Sequence, residues 1–148
     1  MMRSRTTVKP GLLLQPVVLA QLAGRLVEEV WTGSEVVGVE FAVASWLGAR
    51  GAGTPSEVAR DLGMAPTTLS AVIDRLLKKG QVRKRPNPDD GRSYLLELTA
   101  KGKRTNARNG ARFLEVITRV RGELEAEEAA VLETMRVLED AFRRALEP

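Results

Sequence analysis

Pro66 is followed by Thr67, Thr68, Ser70 and Ala71, and farther along a Pro-Asn-Pro-Asp-Asp-Gly tract leads into Arg92. These residue types suit the reading of nucleic acid. Small hydroxyls exchange hydrogen bonds with base edges or phosphates, an alanine methyl packs on a thymine methyl, and an arginine carried on a turn enters a narrow minor groove. Asp90 can hold the Arg92 guanidinium through a charged hydrogen bond, giving up some attraction to phosphate for geometric order. Blander readings stand beside these. Small residues also satisfy helix packing and capping, and an Asp-Arg pair on a loop can be a solvated salt bridge of little energetic value. Asp89 and Asp90 fit turn positions better than a catalytic carboxylate pair.

Little other chemistry is on offer. The chain has 148 residues and neither cysteine nor histidine. It therefore lacks disulfides, thiolate nucleophiles, the usual zinc ligands and the commonest general base near neutral pH. Neither an enzyme, a cofactor nor a metal site is expected. Charge is more informative by position than in total. The 23 Lys and Arg exceed the 19 Asp and Glu by only four, yet residues 50–110 carry thirteen basic against six acidic groups and residues 111–148 carry six against nine. Such segregation fits a central segment that meets a polyanion and an acidic segment that serves as scaffold. Thr54, Arg75, Lys78, Arg83 and Arg85 are the candidates for contact with a DNA backbone. The apolar run 11–20 follows Arg3, Arg5 and Lys9 as in a signal peptide, but Gln15, Pro16 and Gln21 break it. A cytoplasmic protein without a membrane partner is expected.

The elements that must position these side chains follow from caps, breakers and periodicity. Thr54, Pro55 and Glu57 make a capping box for a short helix whose buried side is Val58, Ala59 and Leu62. After Gly63, Pro66 starts a second helix to about Lys79 that turns Leu69, Val72, Ile73, Leu76 and Leu77 toward a core. This spacing predicts a helix-turn-helix. Residues 81–85 and 93–98 read as two strands around the Pro86–Gly91 loop, which makes a wing. Upstream, a helix is expected over 13–30, and Ser34 is expected to cap another that carries Val36 to Leu47 and ends in the stretch GARGAGTP. Downstream, Thr99 caps a long helix, and the acidic tract 123–128 opens another with its stripe at Val131, Leu132, Met135, Leu138, Phe142 and Leu146. The fold class is mainly α (α+β), a winged helix-turn-helix with long N- and C-terminal helices. Residues 1–9 form a basic arm. Residues 10–148 form one domain, in which 10–49 and 99–148 are scaffold and 50–98 binds DNA. The wide apolar stripes at both chain ends need a partner, and a second copy would bury them together.

The stretch from Thr54 to Gly102 resembles the DNA-binding core of the MarR family of winged-helix regulators. Leu62-Gly63 matches at the helix turn, Ser70 and Leu76 in the second helix, Gly80 and Val82 before the wing, Asp90 and Arg92 within it, and Leu98, Thr99 and Gly102 after it. The resemblance implies a homodimer with interlocked terminal helices. It assigns major-groove reading to Pro66, Thr67, Thr68, Ser70 and Ala71, phosphate positioning to Arg75, and minor-groove insertion to Arg92 with Asp90 as its orienting partner. A basic side chain often stands where this chain has Ala71, which offers only a methyl. The family also carries effector cavities for small aromatic anions, and Trp31, Phe41, Trp46 and Arg50 are the residues that could line one here, although aromatics at helical spacing also serve as core. Transcriptional regulation, as a repressor of a pseudo-palindromic operator and with release by a small aromatic or phenolic ligand, is the expected role. The alternative is a winged-helix protein-interaction or architectural module without operator specificity.

Overall fold

A computed structural model of the chain describes residues 11–147. The expected basic arm, residues 1–9, lies outside them. In chain order the elements are α1 (Leu14–Val27), a 3-10 turn (Glu28–Trp31), α2 (Val39–Arg50), β1 (Ala52–Gly53), α3 (Pro55–Asp61), α4 (Pro66–Lys78), β2 (Val82–Pro86), β3 (Tyr94–Leu98), α5 (Ala100–Gly122) and α6 (Glu128–Leu146). They form two compact units. One runs from Val27 to Val116; the other takes the described residues through Leu26 and from Ile117 onward. The first is wider than the 50–98 stretch expected from sequence, because α2 and the first part of α5 share its core: Val43, Ala44, Leu47 and Val116 are all buried.

That core is built by one face of each helix. Leu69, Val72, Ile73 and Leu76 of α4 meet Phe41, Val43, Ala44 and Leu47 of α2, with Val58 of α3 and Val82, Leu96 and Leu98 of the hairpin. Full burial of each aliphatic side chain contributes about 1.5–3 kcal/mol, so α4 is held by its apolar side and leaves the other side to solvent. The three strands are antiparallel in the order β1-β3-β2, with Arg83 opposite Glu97 and Arg85 opposite Leu95.

Two local expectations change. Ser34 does not cap α2. Its hydroxyl closes a tight turn on Val36, accepting from that residue's amide and donating to its carbonyl, and the backbone at Gly38 takes a positive φ of 52° before the helix begins at Val39. The stretch GARGAGTP does more than end α2, since Ala52 and Gly53 pair with Glu97 and Leu96 as a short edge strand. A pair of small residues carries no alternating pattern, so no sequence signal marks this strand.

Thr99 caps α5 as expected: its hydroxyl accepts from the Gly102 amide at 3.0 Å and donates to the Gly80 carbonyl at 2.7 Å, tying the helix to the start of the wing. The same junction explains Gly102. A Cβ there would lie 1.9 Å from the Gln81 carbonyl oxygen, and because that oxygen is backbone it cannot swing away. Gly102→Ala is therefore expected to destabilise the chain by about 2 kcal/mol or more, read as a lower Tm in thermal unfolding; an unchanged Tm would refute the close approach.

Candidate nucleic-acid interface

The helix-turn-helix is assembled by two helix starts of opposite character. At α3 the capping box is complete: Thr54 Oγ1 accepts from the Glu57 amide at 3.3 Å, and Glu57 Oε2 accepts from the Thr54 amide at 2.7 Å and from its hydroxyl at 2.9 Å. These bonds from Thr54 hold the Glu57 carboxyl below its usual pKa. The Thr54 hydroxyl is thus spent on the fold. At α4 the capping position is Ala65, with no side-chain hydrogen bond, and Pro66 opens the helix. The first amides of α4 are left to outside acceptors, and a helix N-terminus in that state attracts phosphate. Pro66, Thr67, Thr68, Ser70 and Ala71 are all exposed and follow directly from that end, while Leu69 between them is buried. Thirteen residues of α4 span about 20 Å, enough to lie along one stretch of major groove.

The wing holds its cations unevenly. Arg83 and Arg85 lie on one face of β2, and Glu97 of β3 takes both, at 2.6 Å from Arg83 Nε and 3.2 Å from Arg85 Nε. On the other face Lys84 Nζ sits over the Tyr94 ring, 4.3 Å from its centroid. The tip is a bonded turn: Asn87 donates to Ser93 Oγ at 2.7 Å, and Asp90 Oδ1 accepts from the backbone amide of Arg92 at 3.0 Å. Asp90 thus orients Arg92 through its main chain, where a guanidinium bond was expected. Among the described residues the Arg92 side chain has no carboxylate partner, and it is exposed.

Arg75 is placed differently from its expected contact with a phosphate. Its Nε donates to Glu40 Oε1 at 2.9 Å, and Lys79, one turn later at the C-cap of α4, donates from Nζ to Glu40 Oε2 at 2.7 Å. Glu40, in the first turn of α2, is only 3% exposed. Neither it nor Lys79 was among the sequence candidates. A signal existed: Glu40 falls on the same helical face as Ala44 and Leu47, and a carboxylate in an apolar stripe requires cations brought by another element. Lys78 remains exposed.

The pattern describing the MarR family matches residues 39–94, from the start of α2 to the first residue of β3. The multiple antibiotic resistance protein MarR of Salmonella typhimurium is 30% identical over 117 residues, which cover 76% of this chain and 79% of that protein. This chain belongs to the MarR family. Among solved structures, a mutant MarR from E. coli complexed with operator DNA is similar at a TM-score of 0.73 and 25% identity, over 90% of this chain and 91% of that one. The PcaV transcriptional regulator from Streptomyces coelicolor, in complex with its natural ligand, is similar at 0.71 and 29% identity, over 88% and 96%. Membership of the MarR family makes the protein a DNA-binding transcriptional regulator. Among the described residues no group of three or more His, Cys, Asp or Glu is placed to hold a metal ion, and no helix is long and apolar enough to cross a membrane.

In this MarR-family chain the four residues expected to line an effector pocket do not converge. Phe41 packs in tilted contact between Trp31 and Phe113, with ring centroids 5.1 Å and 5.6 Å apart, as part of the core. Trp46 and Arg50 meet at Asp61 instead, whose Oδ2 accepts from the Trp46 indole at 3.1 Å and pairs with Arg50 at 2.9 Å. The indole bond is the main reason why Asp61 stays below its usual pKa. Phe41 and Trp46 are five residues apart on one helix, a spacing that turns them to different sides. A separate hollow of about 180 Å³ opens between α3 and α4, lined by Pro55, Ser56, Pro66, Ser70, Ile73 and Tyr94 among others.

Burial works against ionisation of Glu40, but hydrogen bonds from Lys79 and Arg75, with the Val37 amide, outweigh it and hold the carboxyl below the ordinary glutamate value. Because the folded value is the lower one, the stabilisation from ionised Glu40 is complete above the unfolded pKa of about 4.3 and is lost as pH falls through the folded value. Glu40→Gln is expected to be less stable than the native chain at neutral pH, with the gap closing in acid below about pH 4.3. Urea denaturation over a pH series checks this; a gap that persists at low pH would mean that the charge is not its source.

Proposed function

We propose that the protein is a homodimeric, sequence-specific repressor that reads a pseudo-palindromic operator with α4 and the wing. The observation that carries this reading is the exposed row Pro66, Thr67, Thr68, Ser70 and Ala71 at an uncapped helix start, together with an Arg92 that no carboxylate neutralises. The E. coli MarR structure with operator DNA supports it by similarity. Thr68, Ser70 and Ala71 contact bases, Thr67 and the first amides of α4 meet phosphate, Lys78 adds a backbone contact, and Arg92 enters the minor groove. Asp90 keeps the turn that carries it. Arg83 and Arg85, already paired with Glu97, position the wing more than they attract DNA.

Dimerisation is supported by apolar surface that a single chain leaves in water. Leu19, Leu22 and Leu26 on one side of α1 and Leu132, Met135 and Leu146 on one side of α6 are all exposed. Contiguous apolar faces of this kind mark an association surface, and a twofold partner would present the same faces to them. Two α4 helices would then read half-sites about 34 Å apart, one DNA turn.

Control by a small aromatic or phenolic ligand is the third part of the reading, supported by the ligand complex of PcaV. The hollow between α3 and α4 suits it better than the residues around Trp31 and Trp46. It has a volume of about 180 Å³ and is lined by Pro66, Ser70, Ile73 and Tyr94 among others. A ring there would press on Ser70 and so compete with base contact.

Selection of genomic fragments by the purified protein at near-physiological salt should recover one pseudo-palindromic motif. Sequence-independent recovery would favour an architectural role, and no recovery a protein-interaction module. On the recovered operator, Arg92→Ala is expected to weaken binding to all duplexes and to lower the salt slope by about one per subunit. Thr68→Ala or Ser70→Ala should instead change the preference among operator variants by about 1–3 kcal/mol at the affected base pair. Equal losses on every sequence would remove the base-reading role.

A further inference from the structure

Arg75 and Lys79 belong to the helix that the proposed function sends into DNA, yet their heads converge on a carboxylate inside the protein. Glu40 is buried, and its two oxygens are each taken by one of the cations. A carboxylate stripped of water is costly unless it stays paired, by several kcal/mol for an isolated ion. Glu40 therefore binds its partners more firmly than a surface acid would, and phosphates must compete with it for both. Arg75 remains 48% exposed, so it is the hold of Glu40, and not burial, that keeps its charge from the outside.

The clamp reaches beyond one helix. Lys79 Nζ also donates to the Glu35 carbonyl at 2.6 Å. The Glu35 carboxylate takes Lys101 of α5 at 2.6 Å and Gln81, the residue before β2, at 3.2 Å. Lys101 closes the loop by donating to the Lys79 carbonyl at 2.9 Å. The Ser34–Gly38 segment and Glu40 thus tie the end of α4 to the foot of the wing and to α5. Between Pro66 and Ile73, by contrast, α4 has no charged residue at all. Its reading end is neutral, and the charge at its other end is largely spent within the protein.

Resting on the DNA-binding reading above, we propose that Glu40 is a positioning residue for operator recognition: it fixes the C-terminal half of α4 and withholds Arg75 and Lys79 from phosphates, so that affinity depends on the hydroxyl face of α4 and on Arg92. Discrimination between sequences rises because attraction common to all DNA is held down. Removing the carboxylate charge frees cations that would each neutralise a phosphate. Each phosphate contact adds about 0.9 to the salt slope.

The test compares the native 148-residue chain with Glu40→Gln, Arg75→Gln and the double variant. It measures binding to the operator recovered by selection and to an unrelated duplex over a salt series, with circular dichroism to confirm folding. Glu40→Gln is expected to steepen the slope by about one to two per subunit and to tighten binding to the unrelated duplex roughly three- to tenfold at low salt, with a matching fall in the operator preference. Arg75→Gln alone should leave the slope of the native chain unchanged, because that arginine is already engaged, while in the double variant it should take back part of the gain. A merely structural Glu40 would not produce this pattern. A folded Glu40→Gln with native slope and preference overturns the proposal, as does a slope that drops by about one on Arg75→Gln alone. Should Glu40→Gln fail to fold, the Arg75→Gln slope decides by itself. Absence of salt-sensitive duplex binding by the native chain would overturn the DNA-binding reading itself, and is told apart from failure of the Glu40 role because it appears before any substitution.

Discussion

A carboxylate removed from water must be met by positive charge, and in this protein that requirement at Glu40 governs how the recognition unit is put together. The acid sits in the first turn of α2, among the residues that face the core, and its partners come from the end of α4. Apolar packing holds α4 against α2 by interdigitated side chains. Two directed, charged hydrogen bonds to one buried group add a polar constraint to that contact. The hydroxyl row of α4 therefore has a defined orientation relative to α2, and through Lys79, Glu35, Lys101 and Gln81 relative to the foot of the wing and the start of α5.

The same economy of charge recurs around the unit. Glu97 occupies Arg83 and Arg85, Asp61 occupies Arg50, and Glu40 occupies Arg75 and Lys79. The basic excess of residues 50–110 thus overstates what reaches a polyanion. Lys78, Lys84, Arg92, Lys103, Arg104 and Arg108 are exposed with no carboxylate partner among the described residues, and the uncapped start of α4 adds backbone amides. A membership of the MarR family that is established over most of the chain agrees with a DNA-binding regulator.

Much of the scaffold was legible because its causes are local. The Thr54–Glu57 capping box, the Pro66 start, the Thr99 cap and the loop between the wing strands involve residues a few positions apart, and each stands where it was read. The start of α2 departs from the local pattern for a related reason: a serine followed by apolar residues resembles a helix cap, and the competing tight turn at Val36 is bonded by the same hydroxyl. The edge strand at Ala52–Gly53 left no pattern, since its partner β3 defines it. The aromatic residues illustrate the limit on the site side. Trp31, Phe41, Trp46 and Arg50 are the right types for a ligand wall, but Phe41 is claimed by Trp31 and Phe113, and Trp46 and Arg50 by Asp61.

The sequence by itself determined the helix-turn-helix and wing, the exposed hydroxyl face of α4 and the concentration of basic residues around them, because periodicity, caps and turns act over short distances along the chain. Only the tertiary structure decided which of those basic residues are neutralised within the protein. Glu40 and Arg75 are separated by 35 positions and Arg83 and Glu97 by 14, and Coulombic pairing depends on distance in space, which no local pattern specifies. Glu40 was therefore hidden in an apolar stripe until the fold brought its two cations to it.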